Sequence, residues 1–519
     1  MDTNNQRRNV VMIFCDQLRP DFLNAYGGDF IPTPNIDALA KNGVVFDNAI
    51  TASTVCAPAR ASVISGKHVS GHDAWTNDIP CKEGTEFFPQ RLNAAGYMTA
   101  AVGCFDHPYA GYQYINKFVA GGEYKDYITS KYPDETQAYP TDGLQFKYVE
   151  EDHYDRRSAD KAIDFIESYT SAGTAPDGTK PEQENAPFFL ACGFLSPHSP
   201  YLPPKEMEGT VDINKIPKIK NIVSDDVAEV EKTRRAFLNS HEALVNPEAF
   251  EEERMEKRRA YCEMIVEIDA LVGRIVQSLK DNGVYENTTI IFTGDHGSCE
   301  DDYNLCSKGP YPYSAQLFIS MIVSNDPRLK KGTHCDALCG NMDVGATVLD
   351  IAGDQRAFGM SRSLIGLANG TVPEREVNMS EFCDSSKTIV DKRHTFIYYP
   401  FTGKTRLFDR VEDPEETIDF SGDPKYAEVE RKFLMHCIDF MILSKGVRME
   451  AHDLVPSAQE GIKKKHPNFL DDFDVAYPIG SMTAIERLKQ AGLPYDYNEF
   501  CRTREIKAHY GVYFFNEKK

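Results

Sequence analysis

One tryptophan stands in 519 residues, and no apolar run approaches the ~20 residues of a membrane-spanning helix. Stretches such as VVMIF (Val10–Phe14) and IIF (Ile290–Phe292) are far too short. The lone tryptophan gives little support for an aromatic cage around a quaternary amine, although tyrosines could build one. Positive charge is also scarce. Lys and Arg total 57 against 79 Asp and Glu, a formal net charge of −22. Such a surface argues against nucleic acid or an anionic membrane as the main partner. It leaves room for a small anionic substrate, because a local cationic pocket can override the global field, and its plainest meaning is solubility. The 13 cysteines follow no framework spacing. Cys335 and Cys339 sit four apart with no second pair at zinc-site spacing, so reduced, mostly buried thiols are expected. The opening MDTNNQRRNVVMIF enters a strand at once without an apolar signal segment, which leads us to expect a cytoplasmic protein. There are no internal repeats.

What is present is alternation. Val10–Asp16 is a continuous apolar run, as in a strand buried on both faces. Helices are expected over Pro34–Asn42, Ala59–Ser65, Phe87–Ala95, Ser158–Ser171 and Met342–Ala352. Glu248–Leu279 reads as one long helix or two. Strands are expected at Val45–Ala49, Tyr97–Gly103, Pro187–Leu195, Thr288–Asp295 and Phe318–Val323, and Gly173–Asn185 is a polar loop. The pattern predicts an α/β fold: a mostly parallel sheet flanked by helices, with function at the carboxyl ends of the strands. The length exceeds one ordinary core. The pattern changes near residue 375, where a hairpin (Thr395–Tyr399, Lys404–Asp409) and a helix (Val429–Leu443) follow. We therefore divide the chain into a catalytic α/β domain at 1–375 and a smaller C-terminal α+β domain with a tail at 376–519. Phe469, Tyr477, Tyr495, Tyr497 and Phe500 predict that the tail packs. It is long enough to cover a pocket or reach a neighbouring subunit, which leaves a homo-oligomer open.

Two strand ends carry hard metal ligands: Asp16-Gln17 and Asp295-His296. A carboxylate at the end of an apolar strand is costly unless solvated, paired or metal-bound, and helix N-capping would explain either one alone. Asp and Gln oxygens favour Ca²⁺, Mg²⁺ or Mn²⁺; the imidazole tilts the set toward Mn²⁺ or another transition metal, with zinc still open. Between them in sequence lies Cys56, in VCAPARASVISGK. It reads either as a buried structural thiol or as a thiolate activated by Arg60 and a helix N-terminus.

This set resembles the formylglycine-dependent sulfatases of the alkaline phosphatase superfamily, whose relatives include phosphonate monoester hydrolases and choline sulfatases. The sulfatase signature Cys-x-Pro-x-Arg is matched by Cys56, Pro58 and Arg60. NVVMIFCDQLRPD with the following YGG, FIPTPNIDALAKNGVVFDNA, TGDHG and LFDRVEDPEETIDFSGDP are similar to family landmarks, in family order, over about residues 9–445.

The resemblance implies an alkaline-phosphatase-like fold and hydrolysis of a small sulfate ester, or of a phosphonate or phosphate ester at the same site. It implies that a formylglycine-generating enzyme converts Cys56 to formylglycine, whose hydrated aldehyde is the nucleophile. Asp16, Gln17, Asp295 and His296 would bind one divalent cation, Ca²⁺ first, with Mn²⁺ or Mg²⁺ as alternatives. Arg60 would hold the aldehyde, Asn77 (WTND) would contact the transferring group, His198 (LSPHSPY) would protonate the leaving oxygen and Lys308 (SKGPY) would clamp substrate oxygens. On their own, Asn77 and His198 also read as loop residues and Lys308 as a surface lysine. His68, His72 and His107 lie near the site in sequence, and at least two of them are expected to be bystanders. The chain departs from the family in three places. Gln17 replaces a common second aspartate, His296 a common asparagine, and Gly103-Cys104-Phe105-Asp106-His107 stands where many relatives carry Gly-Lys-x-His. The Gln/His pair looks more like the phosphonate monoester hydrolase and choline sulfatase branches. Two other functions compete: a non-catalytic relative that only binds an anion or partner, and an enzyme using unmodified Cys56 as a thiolate nucleophile.

Overall fold

The computed structural model describes residues 7–444, apart from 105–110, 118–122, 138, 221–246, 306, 384 and 401. His107 and the tail aromatics named above lie outside the described residues.

The sheet forms where the sequence is continuously apolar. Its strands are β1 (Asn9–Cys15), β2 (Gly43–Phe46), β3 (Met98–Gly103), β4 (Tyr114–Lys117), β5 (Phe188–Phe194), β6 (Thr288–Gly294), β7 (Met321–Ser324) and β8 (Thr333–Cys335). Their order is β8-β2-β7-β6-β1-β5-β3-β4. All neighbours are parallel except β7, which runs antiparallel to both β2 and β6. The strand expected at Val45–Ala49 is two: β2 ends at Phe46, and Ala49–Ile50 pairs with Cys339–Gly340. The strand expected at Phe318–Val323 begins at Met321, because Ser314–Leu317 is a helical turn and Phe318 only bridges to Ile50.

The helices include α1 (Pro34–Lys41), α2 (Cys56–Ser65), α3 (Phe88–Ala94), α4 (Tyr154–Ala172), α5 (Pro247–Asp281), α6 (Asp343–Ile351) and α7 (Ala427–Ser444). The long charged-then-apolar segment is one helix, α5. None of the described helices is long and apolar enough to cross a membrane. Strand side chains alternate between faces, and β1 shows both cores. Val11, Ile13 and Cys15 pack with Phe165 and Ile166 of α4 and Ile265 and Ile268 of α5. Val10, Met12 and Phe14 pack with Val63 and Ile64 of α2, Phe88 of α3 and Val344 and Val348 of α6. Each fully buried side chain of this size contributes about 1.5–3 kcal/mol, so β1 is anchored from both sides and its C-terminal tip is fixed.

A second, antiparallel sheet follows: β9 (Asn378–Phe382), β10 (Ser386–Val390), β11 (His394–Tyr399) and β12 (Lys404–Asp409), in sequential order. Met379, Ile389, Phe396 and Leu407 pack against Phe433 and Cys437 of α7. Ile397, Tyr399 and Phe408 join Tyr303, Tyr311 and Tyr313 in another cluster, so this sheet braces the segment after β6 that contains Lys308.

Candidate active site

β6, β1 and β5 lie side by side and parallel at the middle of the sheet, and their C-terminal tips build the site. Asp16 follows β1, with its N–H donating to Phe194 O at 3.2 Å; Asp295 follows β6, with its N–H donating to Cys15 O at 3.2 Å. His198 follows β5. Gln17 turns the chain away in the left-handed region, at φ +67°. Tyr261 of α5 holds that turn: its hydroxyl donates to Gln17 O at 2.9 Å and accepts Arg19 N–H at 2.9 Å.

α2 points its N-terminus at the same place, with Cys56 as its first residue. Pro58 lies in the first turn, where its missing N–H leaves no helical hydrogen bond unmade. Arg60 is one turn on from Cys56, on the same face. It is fully buried, with Nη2 donating to Asp16 at 2.6 Å and Nε to Asp295 at 3.1 Å. The cation beside the Cys56 sulfur is Lys308, not Arg60: its Nζ is 2.7 Å from Sγ and 3.6 Å from Asp16 Oδ1. Sγ also lies 3.4 Å from His296 Nε2 and 3.7 Å from Asp16 Oδ1, and it is hydrogen-bonded by His198. Asn77 stands one step back. Its Oδ1 accepts Ala57 N–H at 3.0 Å and so caps α2 from outside the helix.

The electrostatics follow from burial and these pairs. Burial would raise the Cys56 thiol, but Lys308 and the His198 hydrogen bond bring it down to about 7. Burial and Asp295 push Asp16 up to about 6. Burial works against the Asp295 carboxylate as well, but His296, Arg60, Lys308 and the Gln17 N–H hold it well below the usual range. Burial lowers His296 to about 4, so its ring is neutral. With Nδ1–H given to Gly297 O at 2.8 Å, Nε2 is left as a lone-pair donor facing the site. Burial and Lys308 oppose a charged His198, but Asp16 and Cys56 outweigh them and raise it.

A divalent cation fits this donor set. One ligand atom each from Asp16, Cys56, Asp295 and His296 can be chosen so that all lie within 4.8 Å of one another. Gln17 Oε1 is buried with no hydrogen-bond partner among the described residues. An orphaned buried carbonyl is expensive unless something accepts its lone pairs.

Sequence reasoning missed the support for Gln17. Its Nε2 donates to Ser298 Oγ at 3.1 Å, and Ser298 donates to Glu300 Oε1 at 2.5 Å. The same oxygen accepts from Tyr201 at 2.7 Å. The only signal was polarity just after TGDHG. His68 and His72 are held elsewhere: His68 packs edge-on against Phe440, and His72 bonds Ser62 Oγ at 2.9 Å.

Comparison with known proteins agrees with this architecture. Residues 8–354 match the Sulfatase family model. An arylsulfatase of Clostridium perfringens is 27% identical over 469 residues, covering 81% of this chain and 91% of that protein. The multifunctional alkaline phosphatase superfamily protein PehA of Trinickia caryophylli is 26% identical, covering 84% and 95%. Among solved structures, the phosphonate monoester hydrolase SpPMH of Silicibacter pomeroyi superposes with a TM-score of 0.73 at 21% identity, covering 86% of this chain and 98% of that one.

Proposed function

The chain belongs to the sulfatase family, and from that premise we propose that it hydrolyses a small sulfate ester with formylglycine derived from Cys56 as nucleophile and one divalent cation. The observation that carries this reading is the convergence of Asp16, Asp295, His296 and Cys56 at one buried point, with Lys308 and His198 on the sulfur.

In this reading Asp16, Gln17, Asp295 and His296 hold the cation, which supplies Lewis-acid polarisation of the ester's anionic oxygens. Formylglycine at position 56 would supply the hydroxyl of a hydrated aldehyde as the nucleophilic group. The chain's own groups do the rest. Arg60 balances one charge of the two carboxylates and Lys308 the other. Before metal the four charges cancel; a divalent ion leaves the site net positive inside a strongly acidic protein. That field draws in an anionic ester. Lys308 Nζ, already at the position 56 side chain, clamps substrate oxygen. His198, raised toward its protonated form, delivers a proton to the leaving oxygen. Asn77 fixes the start of α2 and with it residue 56. Maturation requires a formylglycine-generating enzyme.

A second reading, a phosphonate monoester or phosphodiester hydrolase, draws on the Gln17/His296 pair and on the equal charge of these esters and a sulfate monoester, all monoanions at neutral pH. Two measurements decide. Mass spectrometry of the Cys56 peptide is expected to show replacement of CH2SH by CHO; an unmodified thiol in active enzyme would mean that the sulfur itself is the nucleophile. Rates on a sulfate monoester, a phosphonate monoester and a phosphate diester are expected to favour sulfate, and a preference for phosphorus ends the sulfatase reading. We place the enzyme in the cytoplasm, in line with its lack of a cysteine framework.

A further inference from the structure

His198 sits on a loop, residues 195–202, that leaves β5. Both ends of this loop are held by one short stretch of chain. At the first end, Leu195 N–H and Ser196 N–H donate to the two oxygens of Asp155 at 2.7 and 2.8 Å. At the other, Leu202 O lies 3.2 Å from His153 Nε2. His153 is the residue before α4 and Asp155 is in its first turn. Behind them, Glu267 of α5 places Oε1 2.5 Å from His153 Nδ1. All three side chains are fully buried. His153 Nδ1 and both Glu267 oxygens make no aligned hydrogen bond to any described residue, so this approach is their one polar contact.

His153, Asp155 and Glu267 also have the composition of a metal site, but the spacing speaks against one. Two donors about 2.0–2.2 Å from a tetrahedral cation stand roughly 3.3 Å apart. At 2.5 Å the two atoms are closer than two ligands of one ion stand, and two buried lone pairs stay that close only with a proton between them. The environment agrees. Burial pushes Glu267 well above the carboxylic range and lowers His153 to about 4. A neutral acid beside a neutral ring has a proton to place between Oε1 and Nδ1, and the ring's Nε2–H is left for Leu202 O at 3.2 Å. Asp155 remains the acceptor of two amides.

We propose that His153, Asp155 and Glu267 are positioning residues, a buried clamp that pins both ends of the 195–202 loop and so fixes His198 at the Cys56 side chain. The clamp rests on the reading of His198 as proton donor only for its effect on rate; its effect on the loop stands apart from it.

The test uses the full chain as Asp155→Asn, Glu267→Ala and Glu267→Gln variants, with two readouts. The first is amide hydrogen exchange in the peptide spanning 195–202. Asp155→Asn and Glu267→Ala are expected to speed it, while Glu267→Gln, whose side-chain N–H can replace the acid proton, keeps it near the wild-type rate. The second is kcat on esters of poor and activated leaving groups. Asp155→Asn and Glu267→Ala are expected to lose about 10- to 100-fold on the poor leaving group and little on the activated one. Asp155→Asn should add no further loss in a His198→Ala background. Unchanged exchange in both disruptive variants overturns the clamp, as does a second tightly bound metal ion per chain that Glu267→Gln abolishes. Faster exchange with no change in leaving-group preference, in these variants or in His198→Ala, supports the clamp and overturns only the role of His198. Should Asp155→Asn fail to fold, the contrast between Glu267→Ala and Glu267→Gln carries the test.

Discussion

Gln17 is a ligand candidate only because something else fixes which way its amide faces. Ser298 takes the amide N–H, and Glu300 and Tyr201 fix Ser298 in turn. Replacing Ser298 by Ala frees the amide to turn. We expect it to weaken metal affinity about 10- to 100-fold, measured by chelator-buffered metal titration, while the thermal midpoint moves little; unchanged affinity would mean that this relay does not orient Gln17. Asp295→Asn acts directly. It removes an anionic donor and half of the Arg60 pairing, so bound metal per chain and activity should fall together. Elemental analysis of the purified variant decides, and full metal content would contradict the assignment. Asp16, Asp295 and Cys56 were visible in the sequence because each is chemically out of place: carboxylates closing apolar strands, and a cysteine in a proline-containing helix start. Ser298, Glu300, Asp155 and Glu267 were not. Polar residues in loops and on helices are ordinary, and only the folded chain reveals that these are buried.

Among the elements, α2 has the least freedom. It is buried along nearly its whole length and must deliver Cys56 at its first position. Its N-terminal end is fixed by Asn77 and its other end by Gly66, which adopts φ +63°. A methyl group there would stand 2.6 Å from Cδ1 of Phe358 in addition to facing the left-handed penalty. Gly66→Ala should therefore destabilise the protein by at least about 1–2 kcal/mol, read as a lower thermal midpoint; an unchanged midpoint would show that α2 can end in another way. Most elements were legible for a simple reason. Strands buried on both faces need unbroken apolar runs, such as Val10–Phe14, and Ser158–Ser171 carries its apolar residues on one stripe. Direction was not legible. Nothing in MIVS says that β7 runs against its neighbours. The helical turn at Ser314–Leu317, which delays that strand, is held at its start by Glu416 from the segment that follows β12, whose carboxylate takes Ser314 N–H at 2.7 Å.

For the molecule as a whole, acid stability is set by which buried groups must stay neutral, and His72 is the clearest case. It is fully buried. Its Nδ1 accepts Ala74 N–H at 3.1 Å, so that nitrogen cannot carry a proton, and its Nε2–H is given to Ser62 Oγ at 2.9 Å. Ser62 passes its own proton to Pro58 O at 3.2 Å, which closes the chain of donors. Burial accordingly lowers His72 from 6.5 to about 3. Between those values the unfolded chain binds a proton that the native state refuses. This contribution to stability is therefore complete above about pH 6.5 and lost as the pH falls below it, at about 1.4 kcal/mol per pH unit. Asp16 and Asp155, raised to about 6, act in the opposite sense over part of this range, so the wild-type curve alone does not isolate His72. The difference from a His72→Gln variant does, because every other titrating group is common to both. The variant should be the less stable protein near pH 7, having lost its hydrogen bonds. Its thermal midpoint should then fall less between about pH 7 and pH 5, the gap closing by the equivalent of about 2 kcal/mol. Parallel losses in the two proteins would mean that the buried imidazole is protonated in the native state, and the hydrogen-bond pattern from Pro58 to Ala74 would then have to be redrawn.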